Sequence, residues 1–345
     1  MRRALTAFGI LLMVVPGCLP TEPTPSSMDI QGGSQSMGSH DESGATGKAL
    51  PTVLTPETMG QDLLQSRTYR VVDQSGGFDV FYEEMAVHSS GDFLLSLTAT
   101  DFGDTGTSSF PDLLWLETYD SRGRYFVHYR DPHISDDVLV RANYDWLTLP
   151  TQKNLAGVDC DVHQLESRRG FGSFELVVDP QTKLLMGWTK FGPSGQVLAE
   201  MVTQSIDWAP DLSGVVWSQP LASEREYNPS SDPPLLGFTP LAAHYLPAGF
   251  YLMEKRYVEA QAVFGTMVPD VYFEVMRDGL RILLVAQQPL GDRTSGTQTM
   301  LFAKRVELGG VNLFEAEAYQ RAIYVIGSLP MQELRAVLGG MQLTS

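Results

Sequence analysis

Forty-one acidic side chains against 24 basic ones give these 345 residues a formal charge of −17. That balance argues against nucleic acid and against electrostatic adhesion to anionic lipid as partners. It accommodates a basic protein partner, or a body held at a membrane by something other than charge.

The chain opens with Arg2 and Arg3, followed by an uncharged apolar run of twelve residues, 4–15. A spanning helix needs about 20 apolar residues, so this run reads as an export signal. Gly17 directly before Cys18 makes the segment similar to a bacterial lipoprotein signal, with Val15 where Leu is usual. The resemblance implies cleavage after residue 17 and lipidation of Cys18; an ordinary cleaved signal with an incidental cysteine is the alternative. Acylation at Cys18 exceeds the two-chain threshold for stable anchoring. Loss of residues 1–17, which carry two arginines and no acid, moves the formal charge from −17 to −19. The expected location is periplasmic and membrane-anchored. Leu19 and Pro20, with no Asp after the cysteine, favour the outer over the inner membrane.

Residues 18–51 are rich in Pro, Gly, Ser and Thr and cannot bury enough surface to order themselves. They read as a tether with a mean reach of about 30 Å. At residue 55 a Thr-Pro-Glu sequence predicts a short helix to about residue 65. Strand signals follow at 67–72, 78–88, 92–100, 113–119, 124–130 and 138–149. Four more follow at 160–166, 172–179, 184–191 and 197–208, joined by turns such as Asp179-Pro180 and Gly192-Pro193. Some ten short-turned strands indicate a large curved sheet or open barrel, residues 52–227. A second linker, NPSSDPP at 228–234, precedes a smaller mixed domain, 235–345. There, strands are expected at 251–263, 270–277, 281–287, 300–308 and 322–326. A helix at 328–339 is capped by Ser328 and buries Met331, Leu334, Val337 and Leu338.

Cys160 lies in an alternating VDCDV segment whose flanking acids raise a thiol pKa. It reads as packed and inert, and a lipidated Cys18 leaves it no disulfide partner.

Two sets of motifs resemble known families. GVDCDV (157–162), FELVVDPQTKLLM (174–186), GPSGQVL (192–198) and SIDW (205–208) resemble successive strands of a LolA-like sheet. YLPAGF (245–250), YFEVMRDGLRILLV (272–285) and RAIYVIGSLP (321–330) resemble the C-terminal domain of MucB/RseB sigma-factor regulatory proteins. Tyr245 replaces the usual Trp, Gly187-Trp188 replaces a Leu-Pro turn, and the N-terminal helix of the LolA-like sheet is shortened. The resemblance implies an α+β, mostly antiparallel β fold: a LolA-like curved half-barrel followed by a small α/β domain. It implies binding of the periplasmic segment of a transmembrane anti-sigma factor until a lipid signal releases it. Relatives with the first domain alone carry or receive acylated lipoproteins.

A curved sheet can offer an apolar cavity, since its ladder already pairs the backbone. Period-two spacing places Phe93, Leu95 and Leu97 on one face, Leu113 with Trp115, and Tyr125 with Val127. The same rule faces Phe174 with Leu176 and Met186 with Trp188. Phe93, Leu95, Leu97, Trp115, Val127, Leu176 and Trp188 are the candidate cavity residues; plain core packing is the alternative for each. No G-x-S-x-G, H-E-x-x-H, C-x-x-C, Walker A or EF-hand pattern occurs. His128, Asp131, His133, Asp136 and Asp137 are close in sequence but read as a solvated loop. The chain reads as a non-enzyme without metal or cofactor. Three functions stay open: a regulator masking an anti-sigma-type partner, a lipid or lipoprotein acceptor, and a structural envelope lipoprotein without ligand.

Overall fold

The computed structural model describes residues 50–72, 77–90, 93–99, 132, 134, 136–215, 224–259, 261–263, 266–268, 270–289, 301–308 and 311–343. Ala49–Ser345 form one compact unit, distinct from Met1–Lys48. Within it, the first sheet contains β1 (Leu63–Val72), β2 (Phe78–Val87), β3 (Phe93–Ala99), β4 (Tyr144–Leu155), β5 (Val158–Ser167), β6 (Ser173–Val178), β7 (Leu185–Phe191) and β8 (Val197–Asp207). Its spatial order is β3-β2-β1-β8-β7-β6-β5-β4, antiparallel throughout. Among the described residues, β4 is one edge of the sheet. That edge is interrupted by an irregularity between Thr148 and Gln152 around Pro150, and it carries the half-exposed Lys153. Both features discourage further strand pairing.

In β1, LLQSRTYRVV alternates buried and half-buried at every step, so Leu63, Gln65, Arg67, Tyr69 and Val71 share the inner face. This overrides the expected helix to residue 65. Only a 3-10 turn, Pro56–Thr58, forms, with Thr55 and Thr58 capping each other. Gly60 at φ +69° then redirects the chain into β1. The expected strand at 138–149 is likewise corrected. Its first part is a helix, Asp137–Asn143, because the Asp136 carboxylate accepts from the N–H groups of Val138 (2.8 Å) and Leu139 (3.0 Å). The expected strands at 113–119 and 124–130 lie outside the described residues.

The strands that follow are β9 (Glu224–Glu226), β10 (Leu241–Ala243), β11 (Tyr251–Val258), β12 (Gln261–Val263), β13 (Thr266–Val268), β14 (Val271–Arg277), β15 (Ile282–Pro289), β16 (Leu301–Leu308), β17 (Val311–Ala318), β18 (Arg321–Gly327) and β19 (Met341–Leu343). Seven of these form one sheet in the order β16-β17-β18-β15-β14-β11-β9, while β10–β19 and β12–β13 are separate pairs. β9 precedes the NPSSDPP segment and pairs with β11. That segment is folded rather than extended: Arg225 donates to both Asp232 carboxylate oxygens at 2.6 Å, and Asn228 N–H donates to the same group.

Both faces of the second sheet are apolar. On one, Met276, Leu283, Val285, Ile323 and Val325 pack beneath Leu334, Val337 and Leu338 of the helix Met331–Gly339. The helix starts after Pro330 with no side-chain cap, so Ser328 does not cap it. On the other face, Val271, Phe273, Val275, Ile282 and Ala286 cluster with Leu284 and Tyr324. Leu284 and Tyr324 also pack on the core of the first sheet, together with Leu280 and Ile326. The two sheets therefore share one apolar layer.

Candidate binding site

The site is built on the inner face of the first sheet and on its seam with the second. Tyr69 sits between Phe81 (ring centroids 6.1 Å apart) and Trp188 (5.9 Å). Leu176 and Trp188 are direct register partners on β6 and β7, both buried in the same core cluster. Met186 does not share their face: an irregularity opposite Val177/Val178 pairs Leu185 with Val178 and Gly187 with Val177. The extra residue breaks the period-two rule, and Met186 joins Cys160, Val177 and Leu184 on the outer face. Phe93, Leu95 and Leu97 stand on β3, in register with Val87, Met85 and Glu83. Cys18, Trp115 and Val127 lie outside the described residues.

Polar groups interrupt this apolar face. Arg67 Nη2 lies 2.8 Å from Glu83 Oε2, with both side chains fully buried. Gln65 Nε2 donates to Thr203 Oγ1 at 2.7 Å. Lys190, in register with Phe174, is also buried, and burial first, then the charge of Arg281, holds its ammonium pKa well below the ordinary lysine range. His163 lies 3.1 Å from Thr148 Oγ1 and against the Trp146 ring, and burial lowers its pKa. The sequence reading missed these groups. The available signal was a charged residue in the buried phase of an apolar alternation, as with Arg67 in β1.

The seam is a buried network. Tyr144 OH donates to Asp278 Oδ2 (2.7 Å) and accepts from Arg281 Nη1 (2.6 Å). Arg281 Nη2 donates to the Phe171 carbonyl at 2.8 Å. Asn143 Nδ2 donates to the carbonyls of Gly249 (3.0 Å) and Asp278 (2.9 Å). Burial drives the Tyr144 phenol well above its usual pKa, so it stays a hydroxyl that can both donate and accept. The Asp136-capped helix places Asn143 and Tyr144, and the turn Asp278–Arg281 between β14 and β15 presents their partners. Gly279 is required in that turn: its φ is +107°, and a Cβ would come within 2.7 Å of the Val140 nitrogen.

These side chains can hold and orient; they do not form a nucleophile–base pair. Among the described residues, no group of three or more His, Cys, Asp or Glu is placed to hold a metal. Asp136 is engaged as a helix cap. His128, Asp131 and His133 lie outside the described residues. Cys160 is buried, donates weakly to the Val158 carbonyl, and has a thiol pKa pushed up to about 11 by burial and then by Asp179.

No protein-family model and no curated protein matches the chain by sequence. By structure it is similar to crystalline MucB, with a TM-score of 0.51 and 16% identity over 84% of this chain and 94% of that one. It is equally similar to MucB in the MucA/MucB complex of Pseudomonas aeruginosa, at TM-score 0.51 and 16% identity over 84% and 96% of the two chains. A second MucB structure, in complex with MucA(peri), matches at TM-score 0.50 and 16% identity over 83% and 96%. The chain has the MucB fold. The match spans both sheets, so the MucB likeness extends to their arrangement. At 16% identity it is a likeness of fold. The expected α+β, mostly antiparallel MucB/RseB-like architecture is the one observed. Among the described residues, no helix is long and apolar enough to cross a membrane.

Proposed function

We propose that this protein is a non-enzymatic extracytoplasmic lipoprotein that binds a transmembrane anti-sigma-type partner, in the manner of MucB/RseB proteins. The observation that carries the reading is the MucB fold across both sheets, since two of the similar MucB structures are complexes with MucA. The buried seam supports it, because two fused sheets offer one rigid surface to a partner. The apolar inner face, with its aromatic trio, is the part of the molecule proposed to meet a lipid signal. Cys18 is the proposed anchor, with the outer membrane as the proposed location.

The test is in-cell crosslinking and affinity capture of the tagged full-length protein, with mass spectrometry of proteins and lipids. Recovery of a single-span protein with a cytoplasmic sigma-binding domain is the expected result. Recovery of phospholipid or lipoproteins alone moves the protein to the lipid or lipoprotein acceptor class, which the apolar inner face and the anchor favour. Recovery of neither leaves a structural envelope lipoprotein.

A further inference from the structure

Among the described residues, β4 pairs with β5 alone, and that pairing breaks in the middle. Thr148 is in register with His163 and Gln152 with Asp161, so Leu149, Pro150 and Thr151 stand against Val162 alone. An edge ladder interrupted in this way opens at lower free energy than central strands do. Each side of the break is fastened by side chains. Beyond it, Gln152 Nε2 donates to Asp161 Oδ1 at 3.3 Å. Before it, the His163 ring lies 3.1 Å from Thr148 Oγ1 and packs against the Trp146 ring, centroids 5.7 Å apart. Further back, Tyr144 is anchored at the seam by Asp278 and Arg281. Residues 146–151 are thus a flap between two fixed points.

His163 is only 6% exposed, although its side chain is a base that ordinarily titrates near 6.5. It stands in register with Leu176 of the inner face, and Trp146, in register with Leu165, packs on the same apolar core. Two charges act on the ring, with opposite signs. Asp161 on its own strand favours the imidazolium, and Lys183 in the turn between β6 and β7 disfavours it. Thr148 and Trp146 on β4 and Leu176 on β6 bring no charge. Burial outweighs both charges and keeps the ring neutral beneath the closed flap. A proton on this ring is costly in the apolar layer, and lifting the flap lets water reach it.

We propose that His163 is an acid-released latch: neutral, it holds residues 146–151 of β4 down on the inner face, and protonated, it favours a lifted flap that uncovers Leu165 and Leu176. By linkage, the lifted state takes up the proton at about 6.5 and the closed state only at lower pH. Closure is therefore fully stabilised above about 6.5 and weakens as pH falls below it.

The test is hydrogen exchange of the full chain at about pH 7.5 and about pH 5.5, read by mass spectrometry and corrected for the intrinsic pH dependence of exchange. Peptides covering 146–151 report the flap, and peptides from β7, a central strand, are the reference. Protection at 146–151 is expected to fall by up to about tenfold at the lower pH, with β7 unchanged. His163→Gln keeps a hydrogen-bonding group for Thr148 but takes up no proton, so its flap should be equally protected at both pH values. Asp161→Asn keeps an acceptor for Gln152 but removes the anion that favours the imidazolium, so the loosening should move to lower pH. That variant decides the question where His163→Gln fails to fold. Equal protection of the wild-type flap at both pH values overturns the proposal. So does a loss of protection that persists in His163→Gln, or one whose midpoint Asp161→Asn leaves in place.

Discussion

Arg67 and Glu83 form an ion pair with no exposed side-chain surface. Removing one partner strands the other charge in an apolar layer, while removing both relieves two desolvation penalties. Glu83→Gln is therefore expected to lower unfolding free energy by about 3–5 kcal/mol, and Arg67→Met with Glu83→Leu by much less. Denaturant unfolding of the three proteins measures the difference. Cys160 offers a second residue-scale test. With its thiol pKa near 11, it stays protonated at pH 8. A thiol reagent should label it only after unfolding, and labelling of the native protein at a free-thiol rate would refute the packed reading. Because this pKa is raised on folding, its stabilising contribution is complete below the unfolded value of about 9 and is lost as pH rises toward about 11. Cys160 was readable as inert from VDCDV, since buried phase and flanking acids are local properties. Lys190 and Arg67 were not, because strand alternation places a side chain on a face without revealing which charge waits across it.

At the scale of elements, the turn after β9 depends on Asp232, whose carboxyl the Arg225 guanidinium holds down at about 2. A depressed acid stabilises above its unfolded pKa of about 3.8, and that contribution disappears as pH falls toward 2. Stability measured against pH should therefore bend in this window, and Asp232→Asn should flatten the bend while costing about 2 kcal/mol at neutral pH. The C-terminal helix is held by Leu334, Val337 and Leu338, all at 0% exposure. Leu334→Ala is expected to cost about 2–5 kcal/mol in thermal or denaturant unfolding. That apolar stripe was legible because a 3.6-residue period names its own face. β17 was not anticipated. It returns to β18 through Tyr319 and Gln320 at φ 52° and 64°, a turn without the Asn or Gly that normally announces positive φ. The helix Asp137–Asn143 was hidden for the opposite reason. Its Val-Leu-Val content favours strand, and only the Asp136 cap reverses the preference.

For the whole molecule, the seam couples the sheets. Tyr144, Asp278, Arg281 and Asn143 bridge them with hydrogen bonds while Leu280, Leu284, Tyr324 and Ile326 fill the layer between. The two sheets should unfold in a single calorimetric transition. Tyr144→Phe should lower stability by about 1–3 kcal/mol, because buried Asp278 and Arg281 each lose a partner. Two separated transitions in the wild-type protein would contradict a shared core. The sequence by itself determined what local periodicity and turn chemistry can encode: a mostly antiparallel β chain, most strand positions, the C-terminal helix stripe and a MucB/RseB-like order of motifs. Tertiary structure alone decided the pairing of β1 with β8, the buried ion pair and the seam. Each of these depends on groups far apart in the chain, such as Tyr144 and Asp278, whose meeting is set by sheet register and packing rather than by any neighbouring residue.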